Sequence, residues 1–458
     1  MRCGVLRQAA ISGVLLCVAL AASARTRPHY GGTLRIEIRG DAWASDGLAR
    51  RLVLDTLTNL SDSGAAQGAL AVQWSAQNND QRWDFQLRRA VRFQDGTPLT
   101  TDAVVASLTA SCASRASSEA SANMAPCPWS AVYAAGSSDV VITADTPLPD
   151  LPELLAQTRF AISRQGPSDV LEGTGPFRVV GFADGALTLA ANADCWQGRP
   201  FLDSVQIFQH RSLRDQWLDL SVGRADIVQV PTELLRQARQ QHLNILVSRP
   251  VDLLALTLST QGVFADAGMR QAAALAVDRM ALYNVIFQKQ GEVTASLLPQ
   301  WLSGYAFLFP TGRDLDRARA LRGGASPAPL TLSTETGDAT LQLAAQRLVL
   351  NLHEAGFNLR MASTGSTSAL ELRLVHLEEA GPRAALDEML TAFGQNETVK
   401  GTDSRSLWKA ESLVLQSGSV IPLLWLPRAW AVGERVRDLQ LSPDGEPLLA
   451  DASLEGAK

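Results

Sequence analysis

The chain has 458 residues, 46% of them hydrophobic and 19% charged, and a net charge of −5. This balance excludes a largely disordered chain, and the length exceeds one compact core of ordinary size, so two or three domains are expected. No basic block or basic-aromatic stripe is present, which argues against nucleic-acid binding.

The N-terminus has the pattern of a secretory signal peptide. Arg2 and Arg7 form a positive start, Ile11 to Ala22 is a short apolar run, and Ala22-Ser23-Ala24 fits a small-x-small cleavage site. Residues 1–24 are expected to be removed, leaving Arg25 first. The run is shorter than the ~20 apolar residues that span a bilayer. A lipoprotein is disfavoured because Leu16, before Cys17, is bulky where a small residue is wanted.

Leu34, Ile36 and Ile38 alternate with polar residues and predict a half-buried strand. Trp83, Phe85 and Leu87 predict another, with Val91-Arg92-Phe93 as a second strand behind it. Asp95-Gly96-Thr97-Pro98 is a turn, and Thr100 or Thr101 caps a helix with Val104, Val105 and Leu108 on its apolar face. Ser111 to Ser121 is rich in Ser and Ala and predicts a frayed end or loop. Thr174-Gly175-Pro176 turns into a strand at Phe177 to Val180, and Asp203 to Phe208 alternates again.

A helix is predicted from Asp266, with Met269, Ala272, Ala273, Ala276 and Leu282 on one face. Another spans about Ala339 to Ala355, with Leu343, Leu348 and Leu352 facing inward and Gly356 as its stop. Phe357, Leu359 and Met361 then alternate as a strand, and a helix feeding a strand is typical of mixed α/β architecture. Val420 to Leu426 is a nearly continuous apolar run and predicts a buried strand.

Of the five cysteines, Cys3 and Cys17 would leave with the signal. Cys112 and Cys127 are close enough in sequence to close a short loop in an oxidising compartment. Cys195 is then a free buried thiol.

Several of these segments, in this order, resemble the family 5 extracellular solute-binding proteins, the dipeptide and oligopeptide receptors of ABC importers. Gly31-Gly32-Thr33-Leu34 resembles the family's first strand, and Trp83 to Thr100 its most recognisable signature. Gly173-Thr174-Gly175-Pro176-Phe177 resembles its Gly-Thr-Gly-Pro turn. Asn192 to Trp196 with Arg199 to Asp203, Gly223-Arg224-Ala225-Asp226-Ile227, and Phe264 to Arg279 resemble later blocks.

The resemblance implies an α/β, periplasmic binding protein-like fold of the class II type: two mixed α/β lobes around a hinged cleft, plus an inserted third subdomain. It implies a discontinuous domain I (25–43, 167–248 and 428–458), domain II (44–166), and an apparently trimmed domain III (249–427). A periplasmic monomer is implied, with no cofactor, whose partners are a small-molecule or peptide ligand and a membrane-embedded ABC permease. Departures weaken the peptide expectation. Asp41 to Asp46 replaces the usual Ser-Leu-Asp-Pro-like cleft segment, and Leu258 stands where an Asn is usual. His376 to Pro382 occupies the stretch expected to carry an acidic residue to a peptide's amino terminus.

A peptide cleft needs a carboxylate for the ammonium and a cation for the carboxylate, because charge-assisted bonds are the strong ones. The candidates are Glu378 or Glu379 for the first and Arg383 for the second, with Trp43, Trp408 and Trp425 as aromatic walls. Each also has a plain structural reading as packing or solvated charge.

Catalysis is not expected. Ser406-Leu407-Trp408-Lys409 matches Ser-x-x-Lys, but neither the Ser-Asp-Asn nor the Lys-Thr-Gly partner is present. His376 with Glu378 or Glu379 is too few ligands for a metal site. The expected function is ligand capture and delivery to an importer, by a cleft that closes over its ligand. The alternatives are a non-transport sensor or scaffold, a receptor for a non-peptide solute, and, remotely, an exported hydrolase.

Overall fold

The computed structural model describes residues 29–44, 47–61, 64–113, 127–166, 170–304, 309–324, 329–334, 338–363, 368–378, 381–395, 399, 401 and 403–456. The expected signal segment 1–24 lies outside them. Among the described residues, no helix is long and apolar enough to cross a membrane.

In chain order the main strands are β1 (Thr33–Glu37), β2 (Ala71–Gln77), β3 (Arg82–Leu87), β4 (Ala131–Ala135), β5 (Asp139–Thr143), β6 (Phe177–Ala183), β7 (Ala186–Ala191), β8 (Ser204–Phe208), β9 (Ile227–Gln229), β10 (Asn244–Leu258), β11 (Glu292–Val293), β12 (Pro329–Thr334), β13 (Asn358–Met361), β14 (Leu370–His376) and β15 (Val420–Val432). A C-terminal hairpin adds β16 (Gln440–Leu441) and β17 (Pro447–Leu448). The helices used below are α1 (Leu48–Val53), α2 (Thr101–Ala113), α3 (Ala267–Ala276), α4 (Ala339–Glu354), α5 (Pro382–Ala392) and α6 (Ser404–Ser417).

An eleven-stranded sheet runs through both lobes in the order β6-β7-β8-β1-β9-β15-β10-β14-β12-β13, with β11 on β15. The first lobe is built around β1, which lies parallel to both β8 and β9 and fully buries Leu34 and Ile36. The second lobe is built around β12, parallel to β13 and β14, with α3 and α4 supplying its core. The two longest strands, β10 and β15, pair antiparallel and join the lobes. Their ladder loses register around Pro250, which faces Pro427, so two residues without an N–H donor meet where the lobes join.

A separate four-stranded sheet, β2-β3-β5-β4, packs under α2. Trp83, Phe85 and Leu87 of β3 are buried, as their alternation predicts. The hydroxyl of Thr100 accepts a hydrogen bond from the N–H of Ala103 at 3.2 Å and starts α2, whose Val104 and Leu108 are fully buried. Cys112 and Cys127 are joined in a disulfide with Cα atoms 5.6 Å apart, and Cys195 is free and buried.

Three local expectations are corrected. Val91 to Phe93 is no strand; Arg92 makes an isolated bridge to Pro98, and the tight turn between them bonds Phe93 N–H to Thr97 O at 2.8 Å. Leu282 is buried but lies outside α3, because Val277 is extended and Asp278 caps a new short turn. Leu343 is 53% exposed, because the inward stripe of α4 is Leu341, Ala344, Ala345, Leu348 and Leu352, one step out of phase.

The disulfide closes a loop of sequence separation 15. Replacing both Cys112 and Cys127 by Ser is expected to remove roughly 3 kcal/mol of stability. Urea unfolding checks this; an unchanged midpoint would show that the crosslink contributes nothing.

Candidate functional site

A cleft of about 320 Å³ lies between the lobes. Its floor is the central ladder, through Asp252, Leu374, His376, Leu426, Arg428 and Trp430. Ile38 to Asp41 and Gln229 to Glu233 form the first-lobe wall; Phe287, Asp338, Thr340 and Leu341 form the other. Asp338 caps α4, accepting from the N–H groups of Thr340 and Leu341 at 2.9 and 3.0 Å. Two contacts cross the cleft: Arg39 reaches Asp338 at 3.7 Å, and the Thr340 hydroxyl donates to Glu233 at 2.6 Å.

The floor carries a knot of charge. Arg428 donates through Nε to both carboxylate oxygens of Asp252 at 3.2 Å, and through Nη1 to Glu446. His376 Nδ1 stands 2.7 Å from Asp252, its ladder partner, and Nε2 stands 3.9 Å from Asp444. Arg51 and the Ser442 hydroxyl both bond to Asp444. Burial and Arg428 push against a charged imidazole, but Asp252 and Asp444 outweigh them and raise His376 to about 9. Asp444 is held well below the usual carboxylate range: burial opposes, and Arg51 and His376 overcome it.

Two residues beyond His376 the chain enters a second charged cluster where three parts of the fold converge. Arg50 comes from α1, Gln157 and Arg159 from the segment before β6, and the β14–α5 stretch supplies Glu378, just past the end of β14, and Glu388 on α5. Burial depresses both Arg50 and Arg159, while Glu378 favours their charged forms. Burial, with Glu378 beside it, raises Glu388 to about 8. Glu388 accepts from Gln157 Nε2 and from the Glu378 N–H, each at 3.4 Å. Arg50 Nε, Gln157 Oε1, Arg159 Nε and His376 Nε2 are buried with no hydrogen-bond partner among the described residues. Buried polar atoms normally have partners, so their grouping marks a place suited to a polar guest. Acids and bases together suit a guest carrying both charges.

The expected site residues are scattered. Glu378 is in the junction, and Glu379 lies outside the described residues. Arg383 is tied to Asp150 at 2.6 Å, both mostly buried, and so is committed to holding α5 in place. Trp43 is half-buried against the first-lobe core, and its N–H donates to Asp41 at 2.8 Å. Trp408 is 39% exposed on α6 and stacks on Phe309, with centroids 6.2 Å apart. Trp425 is 1% exposed, packs with Leu253, Leu297 and Met389 rather than lining the cleft, and its Nε1 is buried with no hydrogen-bond partner among the described residues.

Sequence reasoning missed Asp252, Arg428, Arg50 and Arg159. The first two had a signal, as lone charges within the apolar runs Val251 to Leu258 and Leu423 to Val432. Among the described residues, no group of three or more His, Cys, Asp or Glu side chains is placed to hold a metal ion. Burial pushes the Cys195 thiol up, which disfavours the thiolate nucleophile.

The pH dependence has a definite sign. A group with a raised pKa in the folded state contributes stability that is complete below its unfolded value and lost as pH rises through the folded one. For His376 the window runs from about 6.5 to about 9. Glu388, raised to about 8, acts in the same direction. Urea unfolding is expected to show lower stability at pH 10 than at pH 7, and His376→Gln to shrink that difference. A variant with the full wild-type loss would rule out a charged His376.

The family model described as bacterial extracellular solute-binding proteins, family 5 Middle, matches residues 65–382. Nickel-binding protein NikA of Staphylococcus aureus (strain NCTC 8325 / PS 47) is 25% identical over 201 residues, 43% of this chain and 39% of that protein. Di/tripeptide-binding protein 2 of Pseudomonas aeruginosa (strain UCBPP-PA14) is 26% identical over 206 residues, 42% of this chain and 39% of that protein. The chain thus spans about two-fifths of the length of these curated relatives. The structure of PBP AgaA from A. tumefacien R10 with agropinic acid shares the fold, with a TM-score of 0.78 at 18% identity over 93% of this chain and 99% of that one. The fold, the cleft between its lobes and a family match over most of the length converge: the chain belongs to family 5 of the bacterial extracellular solute-binding proteins.

Proposed function

We propose that the protein is an exported, periplasmic receptor that captures a short peptide between its lobes and delivers it to an ABC-type importer. The observation that carries this reading is the junction of Arg50, Gln157, Arg159, Glu378 and Glu388, where acids and bases from three parts of the fold surround buried, unpartnered polar atoms. A peptide's ammonium pairs with Glu378 and Glu388, and its carboxylate with Arg50 and Arg159. Charge-assisted bonds in such a dry site give affinity and orientation. The proline break between β10 and β15 is a place for the lobes to bend, so that closure buries the ligand and changes the surface a permease meets. The relatives are named for different ligands, one for nickel and one for di- and tripeptides; the paired charges favour the peptide.

A second reading has its own observation. Arg39–Asp338 and Glu233–Thr340 bridge the cleft directly. Lobes that bond directly to each other across the cleft suit a sensor or scaffold.

Native mass spectrometry of the mature protein, purified gently from an exporting host, separates the two. A ladder of masses matching short peptides is expected, and Arg159→Met and Glu378→Gln are each expected to weaken peptide binding by about tenfold or more, the scale of one lost charge-assisted bond. A single non-peptide mass would replace the ligand class. An empty protein that no peptide pool stabilises against heat would overturn the receptor reading in favour of the second.

A further inference from the structure

A second, larger cavity of about 710 Å³ lies between α1, the segment that follows it, and the C-terminal hairpin β16–β17. Its wall includes Arg51 of the first charged cluster. Arg51 and Thr158 line it, while their immediate neighbours Arg50 and Arg159 belong to the junction. Consecutive Cα atoms lie about 3.8 Å apart, so the lining and the junction are neighbours along the backbone on two independent segments. Asp444 links the cavity to the cleft: Arg51 and Ser442 of the cavity bond to it, and His376 of the cleft approaches it.

The chemistry changes across that boundary. The junction is charged, whereas the polar lining of the cavity is mostly neutral: Thr56, Asn59, Gln67, Thr158, Gln197 and Gln440. Thr56 and Thr158 are buried, and the amides stand nearer the rim. The two charged linings are already engaged. Arg51 holds Asp444, and Asp55 accepts from the Thr174 hydroxyl at 2.6 Å and Trp196 Nε1 at 2.8 Å. Leu54, Leu60 and Pro176 complete the walls.

We infer that this cavity receives a side chain of a short peptide whose two charged termini are held in the junction, and that it selects against charged side chains there. The inference rests on the receptor reading and deepens it. Hydroxyls and amides both donate and accept, which matches peptide groups and neutral polar side chains. A charged side chain entering the cavity loses water, and that desolvation is costly; among the described lining, Arg51 is bonded to Asp444 and the Asp55 carboxylate is occupied by Thr174 and Trp196.

The test is isothermal titration of the full mature protein with tripeptides that keep free termini and vary one residue among Ala, Ser, Gln, Lys and Glu. The neutral peptides are expected to bind at least about tenfold more tightly than the Lys and Glu peptides, a difference of ~1.4 kcal/mol or more. Gln440→Lys, an exposed rim change, is expected to recover binding of the Glu peptide while leaving the Ala peptide unchanged. Equal binding of neutral and charged peptides, or a variant with unaltered preference, would overturn the inference and leave the receptor reading intact. No binding of any tripeptide would count against the receptor reading itself.

Discussion

Where β10 and β15 pass from one lobe to the other, each presents a proline to its partner, and the backbone ladder cannot close there. Side chains hold the strands together across that gap. Arg428 on β15 bonds Asp252 on β10, Asp252 bonds His376 on β14, and Glu446 and Asp444 from the C-terminal hairpin close the other ends. Four stretches of chain distant in sequence thus meet in one ionic knot. Removing one member of a buried pair costs about 3–5 kcal/mol, because a buried charge is stranded, although the pair itself adds little over apolar packing. The knot therefore specifies which strands meet more than it stabilises them.

The knot also decides where polar ligands are possible. The floor of the cleft is compensated: Arg428 faces Asp252 and Glu446, and His376 sits between the same Asp252 and Asp444. A guest gains little by competing with partners already in place. One step further along the chain, Arg50, Arg159 and Gln157 keep buried polar atoms without partners. Part of the free hydrogen-bonding capacity of the described residues lies there, which is what the proposed recognition by the junction rests on.

The parts of the fold governed by local rules were legible in order. The alternation of Trp83, Phe85 and Leu87, the Thr100 cap, the Asp266 cap of α3 and the apolar run beginning at Val420 all reappear as elements. Cys112 and Cys127, close enough in sequence to close a short loop, are joined in the structure. Where local rules were applied one step too far, they failed. Leu343 lies on an amphipathic helix but off its inward stripe, and Leu282 follows a break that an aspartate cap imposes.

The site was less legible, for a physical reason. Trp425 and Arg383 have the residue types a peptide cleft uses, yet one is spent on packing and the other on Asp150. Residue type sets what a side chain is able to do; which neighbours reach it sets what it does. Sequence alone pointed to the mixed α/β class, several of the elements in their order and the family, because these follow from patterns within a few residues. Only the tertiary structure decided that Arg50, Arg159 and Glu378 share one buried junction, because their meeting depends on contacts across hundreds of residues, and on which of their charges are already neutralised.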